Sequence, residues 1–155
     1  MDVLGELELG LGDVVAFVVD GAPAPQGSKT VASTKAGGSF VRDDNRALGP
    51  WRNAVAARAR EAMAGRAPLA GPLELDVAFV FARPKAHYRT GKRAGELKAS
   101  APIYCDKRPD LDKLVRAVGD AITGIVVVDD ALIVEMRARK AYGSPSAHIA
   151  VRVIP

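Results

Sequence analysis

The chain has 155 residues, 48% of them apolar and 26% charged, with a net charge of +4 and one cysteine. That length suits one domain with a real core, and no apolar run approaches the roughly 20 residues of a membrane span. The lone Cys105 excludes an internal disulfide framework, and the start Met1-Asp-Val-Leu-Gly-Glu is acidic where a secretory signal is basic, so a reducing cytoplasm is expected.

Residues 1–13 read as a loose N-terminal extension. Val14-Val-Ala-Phe-Val-Val-Asp20 is a buried strand ended by the turn-rich Gly21-Ala-Pro-Ala-Pro-Gln-Gly27. Residues 28–42 are polar and glycine-rich, with weak strand character at Thr30 to Ser33 and Ser39 to Arg42, a hairpin or a mobile loop. Asp43-Asp44-Asn45 offers caps for a helix from about Ala47 to Ala64, with Trp51, Val55, Ala59 and Ala62 or Met63 on one face. Leu73 to Ala82 alternates, placing Leu73, Leu75, Val77, Phe79 and Phe81 on one side of a strand. Residues 83–108 carry Pro84, Gly91, Gly95 and Pro102 and read as a long loop. In the second helix, Leu111, Leu114, Val115, Val118 and Ile122 form the apolar stripe and Gly124 the stop. Leu132 to Tyr142 and Ala147 to Ile154 read as two strands joined at Gly143-Ser-Pro-Ser146, a terminal hairpin. This order predicts a small single α+β domain, a mixed sheet with two main helices on one face.

Charge is unevenly distributed. Residues 83–108 hold eight Lys or Arg against Glu96 and Asp106, a local +6 that leaves −2 for the rest. A concentrated positive field steers a polyanion better than a diffuse one, although lysines in a loop also simply keep a protein soluble.

Immediately after that segment come Asp110 and Asp112 at the start of the second helix, and Asp129 and Asp130 after it. Two residues apart on one helix, Asp110 and Asp112 would diverge by about 200°. They converge only if Asp110 is extended or at the N-cap and Asp112 lies in the first turn, which Pro109 favours. With Asp130 they then make three carboxylates from two elements, a set suited to Mg²⁺, a hard cation that prefers oxygen. Aspartates at a helix start are ordinarily caps, however, and Asp-Asp before a strand is ordinarily a turn, so spacing alone leaves both readings open. Asp120, four residues after Arg116, is explained by an ion pair. His87 and His148 lack ligand spacing, which speaks against zinc, and Cys105 has no Cys/His partner motif.

Pro109-Asp-Leu-Asp-Lys-Leu-Val-Arg116, then Asp120-Ala, then Asp129-Asp130 before a strand resembles the RusA family of Holliday-junction resolvases. Phe17-Val-Val-Asp-Gly-Ala-Pro-Ala-Pro-Gln-Gly27 resembles that family's opening strand and proline-rich turn. The resemblance implies a small homodimeric Mg²⁺-dependent endodeoxyribonuclease, with Mn²⁺ able to substitute, of the kind often encoded by phages and prophages. It further implies Asp110, Asp112 and Asp130 as catalytic and metal-holding residues, with Asp129 as a helper. The family's catalytic lysine corresponds to Arg116, and its asparagine after the second aspartate to Lys113. Arginine binds phosphate in two-pronged fashion but exchanges no proton at neutral pH, so only an electrostatic role carries over. The implied substrate is branched DNA, a four-way junction. Its phosphates would meet Lys29, Lys35, Arg83, Lys85, Arg89, Lys92, Arg93, Lys107, Arg108 and Lys113 without sequence readout. A flap- or fork-directed nuclease of the same fold, or a non-catalytic DNA-binding module, are the rival expectations.

Overall fold

Alternating apolar residues in four segments build one sheet whose inner rows can be followed from strand to strand. In the computed structural model, residues 13–27, 29–33, 35–43 and 45–155 are described, with 29–33 and 39–43 as backbone. The expected N-terminal extension lies, but for Asp13, outside them. The strands are β1 (Val14–Asp20), β4 (Leu73–Phe81), β5 (Ile133–Tyr142) and β6 (Ser146–Val153), in the order β1-β6-β4-β5. β6 runs antiparallel to both β1 and β4, while β5 runs parallel to β4. Strands β2 (Lys29–Ser33) and β3 (Ser39–Asp43) form a separate antiparallel pair, the hairpin alternative for that stretch.

One inner row reads Val15, Val151, Leu75, Met136; the next reads Phe17, Ile149, Val77, Ala138; a third reads Val19, Ala147, Phe79, Lys140. Helix α1 (Leu48–Met63) covers this face with Leu48, Trp51, Val55, Ala59 and Met63. Helix α2 (Leu111–Ile122) adds Leu114, Ala117, Val118, Ala121 and Ile122. These residues form one hydrophobic cluster, with Val55, Leu75, Val77, Phe79, Leu114 and Val118 fully buried. At about 25 cal/mol per Å² of apolar surface, such burial is the main stabilising term. The mixed sheet with two helices on one face is the α+β architecture expected.

The terminal hairpin is not formed. β5 and β6 are consecutive in sequence but sit on opposite sides of β4. Gly143 to Pro145 therefore cross the end of β4, where Gly143 N–H donates to the Phe81 carbonyl at 2.9 Å. A Cβ on Gly143 would stand 2.9 Å from Val80 Cγ1, so a side chain at this crossing would force Val80 to move. Parallel pairing of β4 with β5 needs a long crossover. Residues 82–132, including the basic segment and α2, provide it.

Candidate active site

Pro109 is followed by extended backbone at Asp110 (φ −70°, ψ 135°), which stands at the N-cap of α2, and Asp112 occupies its first turn. That is the arrangement convergence requires. The Asp110 side chain makes no capping hydrogen bond, so its carboxylate is not consumed by the helix it begins. Among the described residues it approaches Lys113, at 3.8 Å. Two tethers hold this helix start. Gln26 N–H, from the proline-rich turn, donates to the Lys113 carbonyl at 3.0 Å. Lys140 Nζ, from β5, donates to the carbonyls of Lys107 at 2.6 Å and Pro109 at 3.0 Å. A lysine ending an inner row of the sheet gives no such signal in sequence, and neither tether is foreseen from it.

At the far end, α2 stops at Ile122 and the chain turns at Gly124 (φ 81°), a conformation glycine adopts without strain. Residues 125–128 then dock on Leu69, with Leu69 N–H to the Val126 carbonyl at 2.7 Å and Val128 N–H to the Leu69 carbonyl at 3.2 Å. Val126 and Val127 are fully buried. This anchored return leads into a 3₁₀ turn, Asp130–Leu132, directly before β5. Asp129 caps the turn, its Oδ1 accepting from Ala131 N–H at 2.9 Å. Asp130 does not cap; it faces α2.

Between α2 and β5 lies an open cavity of about 620 Å³. Its polar residues are Asp112, Arg116, Asp120 and Asp130, and its apolar walls include Val115 on α2 and Met136 on β5. The ion pair expected of Arg116 with Asp120 does not form. Among the described residues, the side chains of Arg116, Asp112, Asp120 and Asp130 have no hydrogen-bond or ion-pair partner. Asp110 lines a second cavity of about 620 Å³ together with Gln26, Asn45, Arg108 and Lys113. The buried Gln26 Oε1 there has no hydrogen-bond partner. Asp112 and Asp130 are thus brought together, whereas Asp110 stands at the boundary on the other side of the helix start. Among the described residues no three His, Cys, Asp or Glu side chains gather closely enough to hold a metal ion between them. Two carboxylates across one cavity still suit Mg²⁺, which usually takes one or two and completes its shell with water and substrate oxygens.

The basic segment has structure of its own. Single 3₁₀ turns occupy Lys85–His87 and Gly91–Arg93. Arg89 N–H donates to the Glu96 carbonyl at 2.7 Å and Lys98 N–H to the His87 carbonyl at 2.9 Å, closing a small flap. The expected phosphate ligands divide. Arg83 is turned inward, its Nη1 donating to the Pro102 carbonyl at 2.7 Å and its guanidinium 4.5 Å from the centre of the Tyr142 ring. Arg93 pairs with Glu96 at 2.9 Å, and Lys107 stands 4.0 Å from Asp106. Lys35, Lys85, Lys92 and Arg108 are exposed and Arg89 half-buried, while the Lys29 side chain lies outside the described structure. Beside Arg83, the Tyr142 phenol has its pKa raised by partial burial, then by the charge and hydrogen bond of Cys105 and the charge of Asp106; Arg83 opposes this. Cys105 is a packed, buried thiol at this junction. Ile103 and Tyr104, 81% and 80% exposed, follow the flap and were not foreseen as surface features.

A mixed-sheet α+β domain with a cavity that holds Asp112, Asp120, Asp130 and Arg116, beside a helix preceded in the chain by a basic flap, is the class that fold and site define. The chain belongs to the RusA endodeoxyribonuclease family, whose model it matches over residues 20–154. A Bacillus subtilis (strain 168) protein, described as "Uncharacterized protein YqaN", is 24% identical over 143 residues, covering 92% of this chain and 98% of that one. Among the described residues, no helix is long and apolar enough to cross a membrane.

Proposed function

We propose that the protein is a Mg²⁺-dependent endonuclease that resolves four-way DNA junctions by paired phosphodiester hydrolysis, acting as a homodimer of single-domain subunits in the cytoplasm of a bacterium, on behalf of the host or of a resident phage. One observation carries the reading: Asp112, Asp130 and Arg116 share a cavity, and among the described residues no protein group pairs with any of their side chains. Capping carboxylates would be bonded to backbone N–H groups, as Asp129 is. Unpaired ones of this kind are available to a ligand.

Asp112 and Asp130 would hold the cation, with Asp110 approaching from the helix start. Mg²⁺ bound there supplies Lewis-acid polarisation of the phosphate and a more acidic water. Arg116, one turn along α2 from Asp112, offsets the negative charge that grows on the phosphate in the transition state. Arginine is not a proton donor in such chemistry, so the proton reaching the leaving oxygen comes from solvent. Lys85, Arg89, Lys92 and Arg108 bind backbone phosphates and orient the duplex arms. Lys35 and Lys113 are further phosphate ligands in this reading, as is Lys29 on its sequence alone.

The test is Mg²⁺-dependent cleavage of a synthetic four-way junction beside a flap, a fork and a linear duplex, with Mn²⁺ in parallel. Junction cleavage by the wild type, and junction binding without cleavage by Asp112→Asn, are the expected results. Preferential cutting of the flap or fork would move the substrate class. Undiminished cleavage by both Asp112→Asn and Asp130→Asn would sink the site.

A further inference from the structure

We infer that strand β5 is the surface through which two copies of this chain pair, edge to edge and antiparallel, about a two-fold axis at Met136. The inference deepens the proposed function and rests on it for the expectation of a dimer; the surface and its register come from the strand itself.

The two edges of the sheet are finished differently. At the β1 edge, Arg58 from α1 donates Nε–H to the Val18 carbonyl at 3.0 Å. β5 is paired on one side only, and among the described residues no group bonds its outward backbone. Ten residues make a long edge for a protein to leave bare, because unpaired N–H and C=O groups template another strand. The side chains point the same way. The inner row Val15, Val151, Leu75 passes through fully buried residues and ends at Met136, which is 55% exposed. Val134 on the same strand is 62% exposed. Met136 also forms a wall of the α2–β5 cavity, so a strand added at this edge would border that cavity as it extends the core row.

A second copy supplies such a strand, and the sequence of β5 selects the register. With the axis at Met136, Met136 meets Met136 of the partner subunit, Glu135 meets Arg137 of the partner subunit, and Val134 meets Ala138 of the partner subunit. Opposite residues of an antiparallel pair share a face, so apolar falls on apolar and acid on base. Centring on Glu135 or Arg137 sets like charges directly opposite, and centring on Ala138 sets Arg137 against Arg139. Such pairs are destabilising. Among axes at residues 135 to 138, the one at Met136 alone is free of that penalty, and it is the one that also sets Glu135 against Arg137. It produces a continuous eight-stranded sheet, twice the four strands of one chain, with both helix layers on one face. The two Asp130 turns then lie at opposite ends of the doubled strand, and both acidic cavities open toward the same side.

Disulfide trapping in the full-length chain tests this, with Cys105→Ala removing the native thiol. Directly opposed residues stand about 4.5–5.5 Å apart at Cα, within disulfide reach. Oxidised Met136→Cys is expected to shift from one-chain to two-chain mass, reversibly with reductant, while Ala141→Cys, far from its own copy in this register, stays at one-chain mass. Wild type should sediment as two chains. Glu135→Arg should sediment as one, and Glu135→Arg combined with Arg137→Glu should restore two. A monomeric wild type, a Met136→Cys that never crosslinks, or crosslinking of Ala141→Cys in its place would overturn the interface. A protein that crosslinks as expected but does not cut junctions would count against the nuclease and leave the interface standing. One that cuts junctions without crosslinking would do the reverse.

Discussion

The two aspartate pairs that flank α2 look interchangeable on paper, yet the fold treats them differently. In the pair after the helix, Asp129 is bonded to Ala131 N–H and holds a 3₁₀ turn, which leaves Asp130 facing the cavity. In the pair before it, neither side chain caps. Asp110 sits at the N-cap without a capping bond, and Asp112 faces the cavity from the first turn. The difference teaches that an N-cap position and a capping function are separate things. A carboxylate at a helix start can be held in reserve when other groups, here Gln26 N–H and Lys140 Nζ, fix the local backbone.

The largest expected effect sharpens this contrast directly. Asp112→Asn and Asp130→Asn should each reduce junction cleavage by roughly 100- to 1,000-fold, the scale for removing one preorganised electrostatic group. Junction affinity should hold or rise, read by gel shift in Ca²⁺, because a negative charge is lost near phosphate. Arg116→Ala should lower cleavage by about 100-fold or more, while Arg116→Lys keeps part of the rate because a point charge replaces a two-pronged one. Equal losses in the two variants would show that charge alone matters at this position.

Lys140→Met comes next. Each charge-assisted hydrogen bond is worth about 1.5–3 kcal/mol when its partners are shielded. Losing both bonds should lower the denaturation midpoint and speed amide exchange around Asp110, read by hydrogen-exchange mass spectrometry. The smallest effect belongs to Asp129. Asp129→Ala should cost about 0.5–2 kcal/mol of stability, the ordinary worth of a cap, with cleavage nearly preserved at temperatures well below unfolding. Asp110→Ala should show the opposite balance, a clear loss of cleavage and at most the roughly 0.3–1 kcal/mol of charge–dipole attraction. If Asp110→Ala destabilises while Asp129→Ala abolishes cleavage, the roles assigned to the two pairs are reversed.

Much of the molecule was legible in the chain because it rests on local rules. Trp51, Val55, Ala59 and Met63, and Leu114, Val118 and Ile122, lie at helical spacing, and they are the residues α1 and α2 bury. Leu73, Leu75, Val77 and Phe79 alternate and form the inner face of β4. The extended Asp110 and first-turn Asp112 stand where Pro109 and the apolar stripe beginning at Leu111 marked the helix start. What period and turn chemistry do not contain is which strand lies beside which. Residues 132–154 read as a hairpin because two strands were joined by a short turn, but β4, more than fifty residues upstream of β5, inserts between them. Alternation marks the face a strand buries and says nothing of its neighbour. The same limit hid Lys140, which reaches residues 107 and 109 only after the sheet is assembled. It also hid the division between Asp129 and Asp130, since adjacent identical side chains differ only in where the folded backbone aims them. The sequence by itself determined the elements, the acidic residues and the family. Tertiary structure alone decided strand order, the tethers at the helix start and which carboxylates remain free, because each depends on contacts between residues far apart in the chain.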